Sequence, residues 1–125
     1  MRKLIMVVAL VVVTVPLLAG AAFAYDQIIQ CRSIPCYGGK GDDKILERIG
    51  NGKPDKILAR GAHDLVRANT YTNDIDVVKS GGGFDTVNVA DGDRLDKAKP
   101  GLGLNKCIVD VRKEAGAGCA RVVVR

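Results

Sequence analysis

The sequence predicts an all-β protein, a short parallel β-roll or β-solenoid with disulfide-stapled ends. A repeat of Asp followed two residues later by a branched aliphatic residue recurs along the chain, and the intervening β-branched segments are short. Only 4% of the residues are aromatic and none is Trp, so disulfides or bound metal are expected to supplement a small core. A length of 125 residues also excludes a multidomain enzyme.

Residues 1–24 are predicted to be a signal peptide. Two basic residues precede the apolar run 4–18, and Ala22 and Ala24 supply the small side chains that signal peptidase requires. Cleavage before Tyr25 would release the mature chain as a secreted, extracellular protein with no stable membrane insertion. The alternative is an uncleaved anchor, since 4–24 is just long enough to cross a bilayer, although Pro16 weakens it.

Four cysteines lie in the mature part, and an even number in an exported chain predicts two disulfides with three possible connectivities. We predict local pairing, Cys31 with Cys36 and Cys107 with Cys119, which closes short loops at the two ends. The staples would lie in an N-terminal cap, 25–36, and a C-terminal cap, 107–125. A zinc site is the competing interpretation, but these spacings are not typical of one.

The region 37–106 carries the repeat. Asp-Lys-Ile-Leu occurs twice, starting at Asp43 and Asp55, and related segments start at Asp64, Asp76 and Asp85. These aspartates are separated alternately by 12 and 9 residues, which add to a constant 21. An alternating spacing with a constant sum predicts a coil of two half-turns, each returning an Asp to the same lateral position one coil further on.

Residues 38–46, GGKGDDKIL, fit the nonapeptide GGxGxDxUx at every specified position. This segment resembles the hemolysin-type calcium-binding repeat of the RTX family, in a degenerate form similar to that of small secreted actinobacterial proteins. In that family GGxGxD forms a tight turn, xUx forms a short strand, and the turns stack into a parallel β-roll with calcium ions between them. The family coil has eighteen residues, whereas the coil here has 21, with longer half-turns before Asp55 and Asp76.

The resemblance implies that the sixth-position Asp supplies a carboxylate oxygen and that the turn glycines supply backbone carbonyls. Calcium takes six to eight hard oxygen ligands, and glycine lets carbonyls converge without a clashing side chain. One or two ions are expected, held better near Asp43 and Asp85 than at the middle turns, where glycines are missing. The implied ligands are Gly39, Gly41, Asp43, Asp55, Asp64, Asp76, Gly81, Gly83 and Asp85.

An ion-free interpretation of the same pattern stays open. Asp side chains cap turns by binding nearby backbone, and Gly supplies positive φ, in solenoids that need no metal. Neighbouring Lys and Arg would also relieve the repulsion between stacked carboxylates. The acid composition favours calcium, because 12 of the 14 acidic residues are Asp.

Other functional classes find little support. The mature chain has only Ser33 and Ser80 as serines and His63 as its one histidine, which is interpreted as an exposed turn residue, so no catalytic constellation is evident and an enzyme is not expected. The segment Asp91-Gly92-Asp93 resembles part of an EF-hand loop, but the glutamate that such a loop requires is missing. Scattered basic residues and few aromatic residues argue against a nucleic-acid partner.

The sequence therefore predicts a secreted protein that binds calcium ions as a structural component. The alternative is a calcium-independent structural or adhesive module that contacts the cell wall, a polysaccharide or a protein. The identity of a polysaccharide or protein partner is not predicted. Valine-rich segments, including 77–78 and 122–124, are predicted to form strands that line a narrow core.

Overall fold

A computed structural model describes residues 25–49 and 52–125. The predicted signal peptide, 1–24, lies outside the described residues. The described part contains a short 3-10 helix, Arg112–Glu114, and ten strands: β1 Gln27–Gln30, β2 Cys36–Tyr37, β3 Asp43–Leu46, β4 Lys56–Leu58, β5 Leu65–Arg67, β6 Val77–Lys79, β7 Thr86–Asn88, β8 Lys97–Ala98, β9 Asn105–Val109 and β10 Cys119–Val124.

The strands form two parallel sheets. One has six strands in the order β1-β3-β5-β7-β9-β10, and the other has four in the order β2-β4-β6-β8. Through the repeat the chain alternates between the sheets, so each coil contributes one strand to each sheet. Ile45 lies opposite Val66 and Val66 opposite Val87, which is the predicted period of 21. The parallel β-solenoid predicted from the sequence is confirmed.

The core is a narrow column between the sheets. Ile45, Val66 and Val87 line it from the six-stranded sheet, and Ile57 and Val78 line it from the other, all with no exposed surface. Successive residues of a strand point to opposite faces, so the predicted core role is wrong for Val77 on β6 and for Val123 on β10, whereas Val122 packs against the core. It is also wrong for Val124, which lies beside Val109 on the inward side but is 49% exposed on the last strand.

Two disulfides staple the ends of the solenoid. Cys31 pairs with Cys36 and Cys107 pairs with Cys119, with Cα–Cα distances of 5.5 and 5.6 Å, so the predicted local connectivity is confirmed. The second bond ties β9 to the last strand, β10. Such bonds are compatible with an extracellular protein. Within residues 25–49 and 52–125, no helix is long and apolar enough to cross a membrane.

Candidate metal centre

The connections between the sheets form two corners of different character. The chain returns from the four-stranded to the six-stranded sheet through short turns, which we call the glycine corner: residues 38–43, 59–64, 80–85 and 100–105. It leaves the six-stranded sheet through the acidic corner, which consists of three longer loops, residues 47–55 (described at 47–49 and 52–55), 68–76 and 89–96, and the shorter segment 110–114. Aspartates end the first three connections at each corner, as the two offset series predicted, and Asn105 and Glu114 end the last ones.

Two successive turns of the glycine corner, 59–64 and 80–85, have positive φ at equivalent positions, although only the second has glycine there. Gly81 and Gly83 have φ of 88° and 131°, and the equivalent residues one coil earlier, Arg60 and Ala62, have φ of 86° and 77°. A side chain in the left-handed region costs about 1–2 kcal/mol per residue. A Cβ at Gly81 would collide with the carbonyl oxygen of Arg60. Close stacking of the coils therefore imposes the turn and offsets the strain at Arg60 and Ala62.

The carboxylates of the glycine corner form a hydrogen-bond ladder along the solenoid axis. Oδ1 of Asp64 accepts the backbone N–H of Asp43 at 2.8 Å, and Oδ1 of Asp85 accepts that of Asp64 at 2.9 Å. Oδ1 of Asn105 continues the ladder by accepting the N–H of Asp85 at 2.9 Å. All four side chains are buried. Each coil is thus tied to the preceding one without any ion, as the ion-free interpretation requires.

The glycine-corner ladder leaves buried charge uncompensated. Asp43, Asp64 and Asp85 each keep one carboxylate oxygen that has neither a hydrogen bond nor contact with solvent. Burial raises the pKa of Asp64 to about 7, with a further contribution from the Asp85, Asp43 and Asp42 carboxylates. Burial also raises the pKa of Asp85 above its ordinary value.

The acidic corner carries a second ladder of the same kind. Oδ1 of Asp76 accepts the N–H of Asp55 at 2.7 Å, and Oδ1 of Asp96 accepts the N–H of Asp76 at 2.7 Å. Oε1 of Glu114, on the 3-10 helix, accepts the N–H of Asp96 at 3.3 Å. The last coil is therefore capped by a glutamate in place of the repeating aspartate.

Additional acids in the longer loops convert this ladder into three groups of carboxylates. In each group, three carboxylate oxygens from different residues lie within 4.8 Å of one another. The groups follow successive coils, and the second and third share a residue. The first group is Glu47, Asp55 and Asp76, the second is Asp74, Asp91 and Asp93, and the third is Asp93, Asp96 and Glu114.

Arg48 supplies positive charge to the first group. Arg48 binds Asp55 with its Nε 2.6 Å from Oδ1 and with its backbone N–H 2.9 Å from Oδ2. Four other buried carboxylates each keep an oxygen without a hydrogen-bond partner or solvent contact: Glu47 Oε2, Asp74 Oδ1, Asp76 Oδ2 and Asp96 Oδ2.

The electrostatic consequence is a set of raised pKa values along the corner. Burial, reinforced by neighbouring carboxylates, raises the pKa of both Asp76 and Asp96 to about 8 and that of Asp91 to about 6. It also raises the pKa of Glu47 and Asp74. Without a cation these groups hold protons at a pH where free aspartates are fully charged.

The donor set fits a hard divalent cation. Calcium binds oxygen ligands at about 2.3–2.6 Å, so two oxygens on one ion lie at most about 5 Å apart, and the carboxylate oxygens of each group are close enough to share one ion. The groups consist of carboxylates, which suit calcium better than the nitrogen and sulfur ligands that select zinc or copper. The orphaned buried oxygens provide the lone pairs that such an ion would engage.

The structure distributes the predicted ligands over both corners. Asp55 and Asp76 come together with Glu47, which the sequence did not single out as a ligand. Asp43, Asp64 and Asp85 stack as one series, but none of the three groups found in the described residues includes them. The predicted glycine ligands Gly39, Gly41, Gly81 and Gly83 all lie at the glycine corner. Residues of the groups that the sequence did not assign as ligands are Glu47, Asp74, Asp91, Asp93, Asp96 and Glu114.

Two sequence signals pointed toward the acidic corner. The half-turns before Asp55 and Asp76 exceed the length that an RTX-like turn needs, and the additional length carries Glu47 and Asp74. The segment Asp91-Gly92-Asp93 has the spacing of oxygen ligands on a tight turn, and the carboxylate that completes it is Asp74, from the preceding coil. The spacing of an EF-hand loop does not predict Asp74 as a partner, because Asp74 comes from another coil.

No family model, no curated protein and no solved structure matches the chain. The similarity to RTX repeats accordingly stays a prediction from the sequence motifs.

Proposed function

We propose that this protein binds calcium ions as structural components of its β-solenoid, and that it does so in the acidic corner. The observation that carries the proposal is the set of buried carboxylate oxygens, on Glu47, Asp74, Asp76 and Asp96, that have no partner. An unpaired buried carboxylate costs several kcal/mol unless it is protonated or meets a cation. An ion that binds only the folded coil would stabilise it by mass action.

The second group is the best candidate for the first ion. Asp74 is buried with a free Oδ1, and Asp91 has a free Oδ2. Asp91 and Asp93 are only half-buried, so water can enter and complete the six to eight ligands that calcium takes. The loop is already ordered, because Asp91 Oδ1 accepts the N–H of Asp93 at 2.9 Å and Asp93 Oδ2 accepts the N–H of Asn73 at 2.8 Å.

The first and third groups offer fewer free ligands. Asp55 of the first group is engaged by Arg48 through both oxygens. Glu114 of the third group accepts the N–H of Asp96 with Oε1 and those of Asp110 and Val111 with Oε2. The first group could therefore hold an ion mainly through Glu47 and Asp76, and the third mainly through Asp93 and Asp96.

The second candidate function is a calcium-independent structural module, which the ladders specifically favour. Every aspartate from Asp43 to Asp96 in the two series donates its N–H to the side chain of the next coil. Protons can neutralise the remaining oxygens at the raised pKa values. A measurement of binding must therefore separate the two functions.

Calorimetric titration of the purified, chelator-stripped protein tests the proposal. The triple variant Asp74→Asn, Asp91→Asn, Asp93→Asn is expected to lose at least tenfold in calcium affinity, because it removes three charges from the second group. The matched control Asp43→Asn, Asp85→Asn is expected to bind calcium as the wild type does, and magnesium should compete poorly. Loss of binding only in the control would move the site to the glycine corner, and no calcium binding by the wild type would leave the calcium-independent module.

A further inference from the structure

The fold separates the charges of the chain between interior and exterior. The aspartates of both ladders are buried, while lysine and arginine occupy several of the outward positions of the strands. On the four-stranded sheet the buried residues Ile57, Val78 and Ala98 alternate with exposed lysines. We call this surface the lysine face, and it comprises Lys56, Lys79, Lys97 and Lys99.

The outer surface is consequently much more basic than the composition indicates. Of the 19 Lys and Arg, all but Arg2 and Lys3 lie in the described residues, which leaves 17, and none of these is buried. All 14 Asp and Glu lie in the described residues, and nine of them are buried, so five remain in contact with solvent. The exterior is positive whether protons or calcium ions neutralise the buried acids.

The lysines of this face lie in two adjacent columns. Lys56 and Lys97 lie in one column, separated by Val77 of the intervening coil. Lys79 lies in the adjacent column, which Lys99 extends, since the Lys99 N–H bonds the carbonyl of Val78 at 2.8 Å. Neighbouring strands are about 4.8 Å apart and alternate residues of a strand about 6.6 Å apart. Within residues 25–49 and 52–125, no carboxylate forms an ion pair with any of the four lysines.

We propose that the lysine face binds an extended anionic polysaccharide. Unpaired ammonium groups at regular intervals complement a linear polymer whose sulfate, phosphate or carboxylate groups also recur at intervals. The Arg60 guanidinium lies 4.9 Å from the ring centroid of Tyr37, which borders the face, and covers one side of that ring. The outward residues of the face are lysines and aliphatic residues, so the face lacks the run of aromatic rings on which the bases of a single-stranded nucleic acid stack. The proposal does not depend on calcium binding.

Fluorescence anisotropy with labelled dextran sulfate, in calcium-containing buffer of moderate ionic strength, tests this surface. The variant Lys56→Gln, Lys79→Gln, Lys97→Gln, Lys99→Gln is expected to lose at least tenfold in affinity. The matched control removes four positive charges from the outward side of the six-stranded sheet and is expected to lose less than threefold: Lys44→Gln, Arg67→Gln, Lys106→Gln and Arg121→Gln. Exposed substitutions of this kind change stability little, and thermal melting followed by circular dichroism verifies that both variants fold.

Three further binding measurements test whether binding requires the charge of the polymer, whether it involves the acidic corner, and whether a nucleic acid binds more tightly. Unlabelled neutral dextran should not compete, and the second-group variant of the acidic corner should bind dextran sulfate as the wild type does. Equal losses in the two charge variants would overturn the proposal, because net charge alone would then account for binding. Tighter binding of a labelled DNA duplex than of dextran sulfate, lost in the lysine-face variant, would overturn it in favour of a nucleic-acid partner.

Discussion

Asp85→Ala is expected to lower the free energy of unfolding by about 3 kcal/mol, whereas Asp85→Asn is expected to raise it by about 1 kcal/mol in chelator. Asp85 is 1% exposed, and its Oδ1 accepts the N–H of Asp64 at 2.9 Å. Alanine leaves that buried N–H without an acceptor, which costs about 1–3 kcal/mol, and adds a cavity. Urea unfolding at neutral pH with chelator measures both changes.

The gain from asparagine follows from the next coil. Asn105 occupies the equivalent position, accepts the N–H of Asp85, and donates its Nδ2 to the carbonyl oxygens of Gly101 and Gly118 at 3.0 and 3.3 Å. An amide at position 85 keeps the acceptor oxygen and removes a buried carboxyl group whose pKa is raised by burial. If Asp85→Asn destabilised the protein in chelator as much as Asp85→Ala, the acceptor oxygen alone would not account for the role of Asp85, which would contradict the ion-free ladder.

Without divalent cations, the free energy of unfolding is expected to fall by at least about 3 kcal/mol between pH 5 and pH 8. Asp64 has a pKa of about 7, and Asp76 and Asp96 have pKa values of about 8, against 3.8 for a free aspartate. The folded state therefore keeps protons that the unfolded state releases. The stability that these protonated groups preserve is fully present below about pH 4, where the carboxyl groups are protonated in both states. It is lost as the pH rises toward 8, because the unfolded state releases these protons more readily.

Saturating calcium is expected to remove the part of this pH dependence that Asp76 and Asp96 contribute, because the ion replaces protons on the acidic corner, and to leave the contribution of Asp64 at the glycine corner. Calcium affinity should accordingly rise with pH as its ligands deprotonate. Denaturant unfolding at a series of pH values, in chelator and in calcium, measures both effects. An identical fall with pH in calcium and in chelator would show that calcium does not reach these carboxylates.

The sequence was sufficient to predict the coil because its strongest constraint is local and periodic. An aspartate that caps a turn and an aliphatic residue two positions later, as in Asp43 and Ile45, must recur at the coil length if each coil is to repeat the same contacts. The disulfides were predictable for a related reason, since each joins residues close in sequence at an end of the repeat. The buried positions on β3, β5 and β7 then follow from strand alternation.

The acidic corner was not predictable in the same way, because its residues meet only after the coils stack. Glu47 approaches Asp76 from the preceding coil, and Asp74 approaches Asp93 of the following coil. The glycine positions predicted calcium ligands at the glycine corner. One turn of that corner, at Arg60 and Ala62, forms without glycine at those two positions because of the packing of its neighbours. The hydrogen bonds between successive coils could not be predicted either, because the side chain that accepts each aspartate N–H belongs to the next coil, 21 residues away for Asp43 and 20 for Asp76.

Anomalous diffraction at long wavelength from crystals grown in calcium locates the ion directly. We predict an anomalous peak about 2.4 Å from carboxylate oxygens of Asp74, Asp91 and Asp93. Two weaker peaks are expected, one between Glu47 and Asp76 and one between Asp93 and Asp96. Peaks confined to the turns before Asp43 and Asp85, or no peak in an ordered solenoid, would contradict this prediction.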